Sequence, residues 1–422
     1  MKYVLSPFFK AFLFALCYGI LFYLLQFFFV RTGIFITEPT AHNLKSWDAG
    51  YYDDLRQNGY NAASDNTGFF ILFPLIWKFS HLGVWGITAL NVIFFSLGFA
   101  VLARTLKEEH KTFWLLWLTL PSVFFAFLPY TESLFFLLGT LVLYAVKENK
   151  RLLLWITLVL ISLARSTSIF LIPAFIAMEL FRQPRAQWFK SLWRALYRYT
   201  IPQLIGLSLF VIWQYRETGI WFAYFKTQAE RWQHVFSFPG FPLSNLDNVA
   251  WRYHWLNALA LLIDAIALIF LLWQLVLWLK RKPVYDEKVI LSAGYLAMVL
   301  ITELFYSPKY GHTNSFIGGS HRYTIMSPFF FVFLHFLGKQ KYAARHILFF
   351  FLFIHAFWAL FGVYAELNKY IAGAMVSNFL IVAFMLYSSR EKYSWLIIPV
   401  IAFNFFMQFY LFQQFITPSF VD

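Results

Sequence analysis

The chain has 422 residues, of which 60% are apolar and only 13% are charged. Soluble domains carry roughly 25% charged residues, so this composition excludes an ordinary soluble protein. The formal charge of +14 would suggest nucleic acid as a partner of a soluble protein. In a membrane protein, Lys and Arg in the short loops orient the chain, and this explains the positive charge. No nucleic-acid partner is therefore expected. The single cysteine, Cys17, excludes an intrachain disulfide and a cysteine-based metal site.

Apolar stretches long enough to cross a bilayer recur along the whole chain. Because a helix satisfies its own backbone groups in lipid, they predict an all-α, polytopic helical bundle that forms one integral membrane domain over residues 1–422. The first stretch is too long for a signal peptide and has no small-residue cleavage site after it, which predicts a retained helix. About thirteen spans are predicted, near residues 11–30, 84–103, 113–128, 131–146, 152–164, 167–181, 200–215, 257–279, 289–306, 324–338, 346–363, 370–387 and 394–416.

The distribution of basic residues predicts the orientation of this bundle. With the N-terminus in the cytoplasm, 22 of the 34 Lys and Arg residues fall in cytoplasmic loops and 12 fall outside. Positive charge accumulates on the cytoplasmic side of membrane proteins, so this arrangement is favoured. It places three extracytoplasmic loops on one face, at residues 31–83, 216–256 and 307–323. Long loops rich in aromatic residues usually carry function, so these loops are expected to form the site.

The first of these loops carries the leading candidate for a catalytic residue. Ser46 is a typical N-cap and Gly59 a typical C-terminal stop, so a short helix is predicted over about residues 47–57. Asp48 then lies in the first turn, where the helix dipole favours a carboxylate, and it shares a face with Tyr52. Two interpretations remain open: Asp48 is a general base at the membrane surface, or it only caps a surface helix.

Three further carboxylates are secondary candidates. Asp53 and Asp54 lie on the same short helix and are alternatives to Asp48 as the base. Glu132 follows a tight outer hairpin, Leu128–Ser133, at the start of an apolar run. Capping of that helix is the default role of Glu132.

The segment Gly68–Phe79 is apolar, contains a proline and is too short to span a bilayer. It predicts either a re-entrant segment that cradles a lipid tail or a packed connecting helix.

Arg165 interrupts an apolar stretch where an ionisable residue is costly. Its planar fork matches the oxygens of a phosphate, so it is a candidate phosphate ligand. The alternative is an arginine whose charged end reaches the outer membrane surface. The two apolar runs on either side of Arg165 are consistent with one broken helix.

The third loop ends in His321-Arg322-Tyr323 just before a predicted span. This pattern predicts contact with an anion or a lipid headgroup. A metal site of His312 and His321 is the weaker interpretation, because two histidines in a glycine-rich loop are insufficient evidence for a metal ion.

Aromatic and amide side chains in the outer loops are candidate substrate contacts. Trp47 and Tyr52 lie in the first loop, and Gln228 and Trp232 lie in the second, beside Arg231 and His234. Stacking and hydrogen bonding to a sugar is one interpretation, and a packed interfacial helix is the other.

Several motifs are missing from the sequence. There is no Walker A pattern, no G-x-G-x-x-G and no D-x-D pair for a metal-bound nucleotide sugar. No cofactor and no metal are therefore expected. A transferase on the outer face would take its activated sugar from a lipid phosphate in the membrane.

The outer-loop motifs resemble the GPI mannosyltransferase 2 family of the C-type (GT-C) membrane glycosyltransferases. The resemblance covers landmarks from about residue 47 to 323 in the same order. Its motifs are Trp47-Asp48-Ala49, Tyr51-Tyr52, Asn58-Gly59-Tyr60, Phe69-Phe70 leading to Phe73-Pro74, Leu128–Phe135, Arg165-Ser166 and His321-Arg322-Tyr323.

This resemblance implies a GT-C-like fold and the transfer of a hexose, with mannose expected. The donor would be a polyprenyl- or dolichyl-phosphate sugar, and the acceptor a glycolipid or glycan at the extracytoplasmic face. The matching Asp48 would activate the acceptor hydroxyl with inversion at the anomeric carbon. Arg165 and Arg322, with His321, would bind the donor phosphate. The phenylalanine-rich spans favour a bacterial cytoplasmic membrane, with the ER membrane as the alternative in a eukaryote.

Other functional classes remain open at this stage. A transporter or flippase of a lipid-linked sugar would use the same outer groove without chemistry. A ligase that transfers a whole glycan would need a metal, and a scaffold would leave the loop carboxylates unexplained. No internal repeat of the kind that transporters show is found, and the polar residues gather on one face, so an enzyme is favoured.

Overall fold

The computed structural model describes residues 6–240, 243, 251–308, 317–360, 367–389 and 391–417. The side chains of residues 251–254, 367–370 and 391 are not described. The described part is helical apart from two short strands, β1 (His234–Phe236) and β2 (Tyr306–Pro308). Its α-helices are α1 (Pro7–Arg31), α2 (Asp48–Asn58), α3 (Leu72–Ser80), α4 (Val84–Leu106), α5 (Lys111–Leu118), α6 (Glu132–Lys147), α7 (Arg151–Ala164), α8 (Leu171–Arg182), α9 (Trp188–Ala195), α10 (Ile201–Thr218), α11 (Ala223–Glu230), α12 (Trp251–Leu279), α13 (Glu287–Phe305), α14 (Ser320–Thr324), α15 (Pro328–Gly338), α16 (Ala344–Ala359), α17 (Leu367–Ser389) and α18 (Ile397–Ile416).

Local sequence signals explain where several of these helices begin and end. Ser6 caps α1 by accepting a hydrogen bond from the Phe9 amide, and Ser327 caps α15 in the same way from the Phe330 amide. A proline follows each of these serines, at the first helical position, where its missing N–H costs nothing. Gly219 ends α10 in the left-handed conformation.

The described residues contain seven helices that are long and apolar enough to cross a membrane, or eight if a bent pair counts as one span. The chain is therefore a multi-pass membrane protein by helix length and composition. Three shorter apolar helices, α7, α15 and α16, add to the bundle. The predicted count of thirteen spans is not confirmed.

One cause of the difference is a proline in the predicted span 113–128. Here α5 ends at Leu118, and a 3₁₀ segment runs from Pro121 to Phe127. This segment makes an angle of 102° with α6, so the two form a broken span or a re-entrant hairpin. Pro121 lacks the amide that would continue α5, which explains the break.

Small residues allow close packing between the helices that position the outer loops. A Cβ at Gly206 of α10 would lie 2.5 Å from the Val159 carbonyl oxygen of α7. A Cβ at Gly294 of α13 would lie 2.8 Å from the Ala174 Cβ of α8. Helices in lipid associate through such close contacts, so these glycines fix the positions of α7 and α8.

The two strands connect the second and third outer loops. β1 pairs antiparallel with β2, and Val235 lies opposite Ser307. The sequence analysis predicted no strand, because three residues carry no measurable periodicity. The strand pair brings residues 234–236 and 306–308 of these two loops together.

Candidate active site

The short helix of the first outer loop is confirmed as α2, with Asp48 as its first residue. Its predicted N-cap is wrong. The Ser46 hydroxyl donates to the Asn43 carbonyl, and the residue at the N-cap is Trp47, with a φ of 57° and a ψ of −131°. Few non-glycine residues adopt such a backbone, and strain of this kind gathers at functional sites. Gly59 ends the helix as predicted, with a φ of 75°.

Arg322 connects Asp48 to the core of the bundle. Its Nη2 lies 2.7 Å from Asp48 Oδ2 and 2.8 Å from Glu132 Oε1, and its Nε donates to the same Glu132 oxygen. The guanidinium also lies against the rings of Phe125, at 4.9 Å, and Tyr130, at 5.0 Å. Charge-assisted bonds and aromatic faces together fix its plane.

Arg165 reaches Glu132 from a different helix. The chain breaks at Arg165, which has the extended backbone of φ −160° and ψ 147° between α7 and a 3₁₀ turn, Ser166–Phe170. Its Nη1 lies 2.7 Å from Glu132 Oε1, and its guanidinium lies 5.0 Å from the Tyr323 ring. The chain breaks where the sequence predicted, and the side chain of Arg165 at this break contacts Glu132, the carboxylate that Arg322 also contacts.

These four side chains form the charged cluster, which consists of Asp48, Glu132, Arg165 and Arg322. Two carboxylates and two guanidinium groups give it no formal net charge. The side chain of Asp48 is 25% exposed, whereas that of Glu132 is 1% exposed. Asp48 is therefore the carboxylate that a molecule from outside can reach, and Glu132 is the buried anchor of both arginines.

A narrow cavity lies beside the charged cluster. It has no room for a water molecule in this conformation, whereas typical ligand pockets have about 300–1,000 Å³. The side chains around it must therefore move apart before a phosphate or a sugar can enter. Within the described residues, the second oxygen of Glu132, Oε2, is buried without a hydrogen-bond partner. The residues that line the cavity are Glu132, Phe135, Arg165, Tyr295, Arg322, Tyr323 and Met326.

Asp53 and Asp54 lie apart from the charged cluster. Asp53 pairs with Arg56 at 2.6 Å and with Lys45 at 3.3 Å. Burial acts to raise its pKa, but the hydrogen bonds and the charge of Arg56, with Lys45, outweigh it and hold the pKa of Asp53 below its ordinary value. Asp54 accepts hydrogen bonds from the Asn58 and Asn66 amides. Both carboxylates therefore stabilise the loop in this structure.

The predicted substrate contacts take different positions. Tyr52 is buried below Asp48, and its hydroxyl lies 3.3 Å from Thr131 Oγ1, beside Glu132. Trp47 is 36% exposed. Trp232 packs edge-on against Phe69, with a centroid distance of 5.4 Å. Phe69 in turn stacks on Tyr51 of α2 and contacts Tyr52, so Trp232 joins the second loop to the first.

Gln228 and the histidines are not part of the charged cluster. Gln228 is buried on α11, and within the described residues no hydrogen bond connects it to either arginine. His321 is buried, and its Nδ1 lies 2.9 Å from Ser122 Oγ while its backbone N–H donates to Asn257. These contacts position α14, which also carries Arg322. His312 lies outside the described residues.

The segment Gly68–Phe79 contributes a packed element. Its helix, α3, packs on α2, and Phe73 and Trp77 are fully buried. The packing agrees with a connecting helix, and the contact with a lipid tail stays a prediction.

Tyr323 and Tyr295 complete the lining of this cavity, and neither was predicted to have a role of its own. Tyr323 was part of the His321-Arg322-Tyr323 pattern, which is the signal that identifies it. Burial, above the other influences, raises the pKa of Tyr323 to about 12, so its hydroxyl is a hydrogen-bond donor at neutral pH. Tyr295 lies within the apolar run of α13, where nothing in the sequence distinguishes it from core residues.

The fold and the cluster define a multi-pass membrane protein with a polar, charged site where its outer loops meet the bundle. Comparisons of this chain with protein-family models, with curated proteins and with solved structures give no match.

Proposed function

We propose that the chain is an inverting glycosyltransferase that moves a hexose, with mannose expected, from a polyprenyl- or dolichyl-phosphate donor to a glycolipid or glycan acceptor. The observation that carries the proposal is one guanidinium, Arg322, bridging the accessible Asp48 and the buried Glu132. A general base and a phosphate-binding arginine then lie in direct contact. The resemblance of the outer-loop motifs to the GPI mannosyltransferase 2 family supports the same reaction.

Asp48 is the base in this proposal because it is the accessible carboxylate of the charged cluster. Glu132 is 1% exposed and holds two arginines, so an acceptor hydroxyl does not reach it. Asp53 and Asp54 are engaged with other side chains of the first loop. The short helix α2 places Asp48 in its first turn, at the positive end of the helix dipole.

The reaction conserves charge within the cluster. Asp48 takes the proton of the acceptor hydroxyl, and the hydroxyl oxygen forms a bond to the anomeric carbon of the sugar. The bond from that carbon to the phosphate oxygen breaks, and the lipid phosphate leaves with one more negative charge than the donor had. When Asp48 accepts the proton it becomes neutral, and at the same time the leaving phosphate gains a negative charge. The guanidinium of Arg322, which was paired with Asp48, then stabilises the leaving phosphate.

Arg165 supplies the second phosphate contact. Its Nη1 lies 2.7 Å from Glu132 Oε1. The rest of its fork is suited to an oxyanion. The protonated hydroxyl of Tyr323, whose ring lies against Arg165, is a further donor at this position.

The experiment is an assay of purified protein in detergent and in liposomes. Radiolabelled polyprenyl-phosphate-mannose is supplied with and without a crude lipid acceptor extract, and wild type is compared with Asp48→Asn. Labelled product from wild type, which depends on the extract and is lost in Asp48→Asn, is the expected result. Movement of the labelled lipid across the bilayer without a product would contradict the proposal and favour a flippase of lipid-linked sugars. Loss of product formation when a chelator is added would instead favour a metal-dependent ligase that transfers a whole glycan.

A further inference from the structure

A second cavity lies at the opposite end of the bundle from Asp48. It has a volume of ≈ 800 Å³, whereas the cavity beside the charged cluster has no room for a water molecule. Its lining includes the four arginines Arg151, Arg182, Arg194 and Arg198, with the apolar side chains Leu152 and Trp155. None of these residues takes part in the proposed transfer reaction.

Two helices, α6 and α7, run from the charged cluster to this cavity, so their length gives the distance between the two sites. α7 begins at Arg151, in the cavity, and ends next to Arg165, in the cluster. Its 14 residues correspond to about 21 Å at ~1.5 Å per residue. α6 connects the same two regions in the opposite direction. It begins at Glu132, in the charged cluster, and ends at Lys147, two residues before Asn149, which lines the cavity. The cavity therefore opens to the face predicted to be cytoplasmic.

The cavity has a surplus of positive charge. Arg182 pairs with Glu179 at 3.7 Å and with Glu287 at 3.0 Å, and Arg194 pairs with Glu179 at 3.4 Å. Within the described residues, two carboxylates pair with two of the four arginines, and the other two arginines have no carboxylate partner.

Arg151 and Arg198 account for the surplus. In the part of the chain that the structure describes, neither has a carboxylate within ion-pair distance. Arg198 Nη2 donates to Asn149 at 2.5 Å, and its Nε is buried with no hydrogen-bond partner there. A buried donor without a partner is commonly satisfied by a water molecule or an ion. The uncompensated charges of Arg151 and Arg198 favour an anion at this position.

The helix that carries Arg194 and Arg198 is too long for the membrane. The continuous helical stretch Arg185–Thr218 has 34 residues, which is about 51 Å at ~1.5 Å per residue, against a hydrocarbon core of ~30 Å. Its first part, α9, exposes Trp188, Phe189 and Trp193, which is typical of a helix at the membrane surface.

A π-helical turn, Leu196–Thr200, follows α9 and presents Tyr197 and Arg198 to the cavity. Such turns are frequent at functional sites. The long helix and the exposed aromatic residues of α9 place the cavity where lipid headgroups are expected.

We propose that this cavity binds the phosphate group of an anionic phospholipid from the leaflet that faces it. Arg151 and Arg198 contact the phosphate oxygens, and the lipid chain begins along Leu152 and Trp155, which are 75% and 38% exposed. Basic pockets between membrane helices on this side are suited to anionic headgroups. The apolar wall distinguishes a lipid from a free phosphate, because a small soluble anion gains nothing from it.

The test uses the full chain purified in detergent and three probes: short-chain phosphatidylglycerol, short-chain phosphatidylcholine and inorganic phosphate. Kd is measured for wild type, for Arg151→Gln with Arg198→Gln, and for the control Arg185→Gln with Lys190→Gln. The control removes two exposed charges of the same region that do not line the cavity. The expected result is phosphatidylglycerol binding at least tenfold weaker in the first pair, unchanged in the control, and weak or no binding of the other two probes.

Equal affinity of wild type and Arg151→Gln with Arg198→Gln would overturn the proposal. So would equal binding of phosphatidylcholine, which would remove the role of charge, or equal binding of inorganic phosphate, which would remove the role of the lipid. Leu152→Glu is the second variant, because Leu152 is 75% exposed and its replacement disturbs no core contact. Its added negative charge should also weaken phosphatidylglycerol binding, and wild-type affinity in this variant would count equally against the site.

Discussion

Arg322 Nη2 lies 2.7 Å from Asp48 Oδ2, so two residues from different outer loops, 274 positions apart, form one ion pair. The same guanidinium contacts Glu132, whose side chain is 1% exposed. The accessible aspartate is thereby fixed relative to the rigid bundle and not only to its own loop. Holding reacting groups in place contributes much of the catalytic effect in sites of this kind.

Glu132 is expected to anchor the charged cluster. In Glu132→Gln, the buried Arg165 and Arg322 lose their shared counter-charge, and breaking a buried pair in this way costs about 3–5 kcal/mol. We expect a clear fall in the midpoint of thermal unfolding in detergent. Glu148→Gln is the control, because that side chain is 42% exposed and its pair with Lys147 spans 3.8 Å. Equal midpoints for the two variants would show that Glu132 is not an anchor.

Arg165 is expected to bind the donor phosphate through the geometry of its fork. Arg165→Lys keeps the charge but removes the planar pair of donors, so we expect KM for the lipid-phosphate sugar to rise. Charged hydrogen bonds contribute about 1.5–3 kcal/mol, which corresponds to roughly a 10- to 100-fold change. Arg216→Lys, the same substitution at an exposed position, should leave KM unchanged. A variant at Arg165 with normal KM would exclude it from donor binding.

Gly59 is expected to be required for the end of α2. Its φ of 75° is in the left-handed region, and an added Cβ would lie 3.0 Å from Glu217 Oε2, which accepts from the Tyr60 amide. Gly59→Ala should therefore destabilise the protein by about 1–3 kcal/mol, measured by thermal unfolding. Gly83→Ala is the matched control, because Gly83 has a φ of −71° and nothing within 4 Å of its Cβ position. Similar losses in both variants would refute this role.

The strand pair of β1 with β2 is expected to weaken in acid. Burial, the largest influence, lowers the pKa of His234 to about 4 from its ordinary 6.5. The paired state therefore binds less proton than the open state, and its stability is fully present above pH 6.5 and falls as the pH drops towards 4.

Hydrogen exchange at residues 234–236, corrected for intrinsic rates, measures this loss of protection. His234→Gln should remove the dependence on pH in that range. An unchanged pH dependence in the variant would assign the effect to another group.

The sequence predicted those features of the site that depend on local signals. Gly59 ends α2 because a glycine accepts a positive φ, and the chain breaks at Arg165 where polar residues interrupt the apolar run. The predicted N-cap at Ser46 was wrong because the backbone turns one residue later, at Trp47. Local propensity did not contain that turn, which the packing of the loop imposes.

Contacts between distant segments were beyond sequence reasoning. Glu132 was expected to cap α6, and nothing near it in the sequence shows that two arginines from other helices contact it. The predicted count of spans exceeded the number of long apolar helices partly because hydropathy does not register the break at Pro121, and partly because α7, α15 and α16 are shorter than a full span. The pairing of β1 with β2 escaped prediction because each strand has only three residues.

The most direct test of the central claim is the turnover number for sugar transfer in Asp48→Asn beside Asp54→Asn, with donor binding measured in both. Asp54 belongs to the same helix and carries the same charge but contacts Asn58 and Asn66, outside the charged cluster. We expect Asp48→Asn to transfer sugar about 10²–10⁴-fold more slowly while it still binds the donor, since a general base contributes that much. Asp54→Asn should stay close to wild type. Full activity of Asp48→Asn would contradict the account, because the accessible carboxylate that Arg322 contacts among the described residues would then have no part in the reaction.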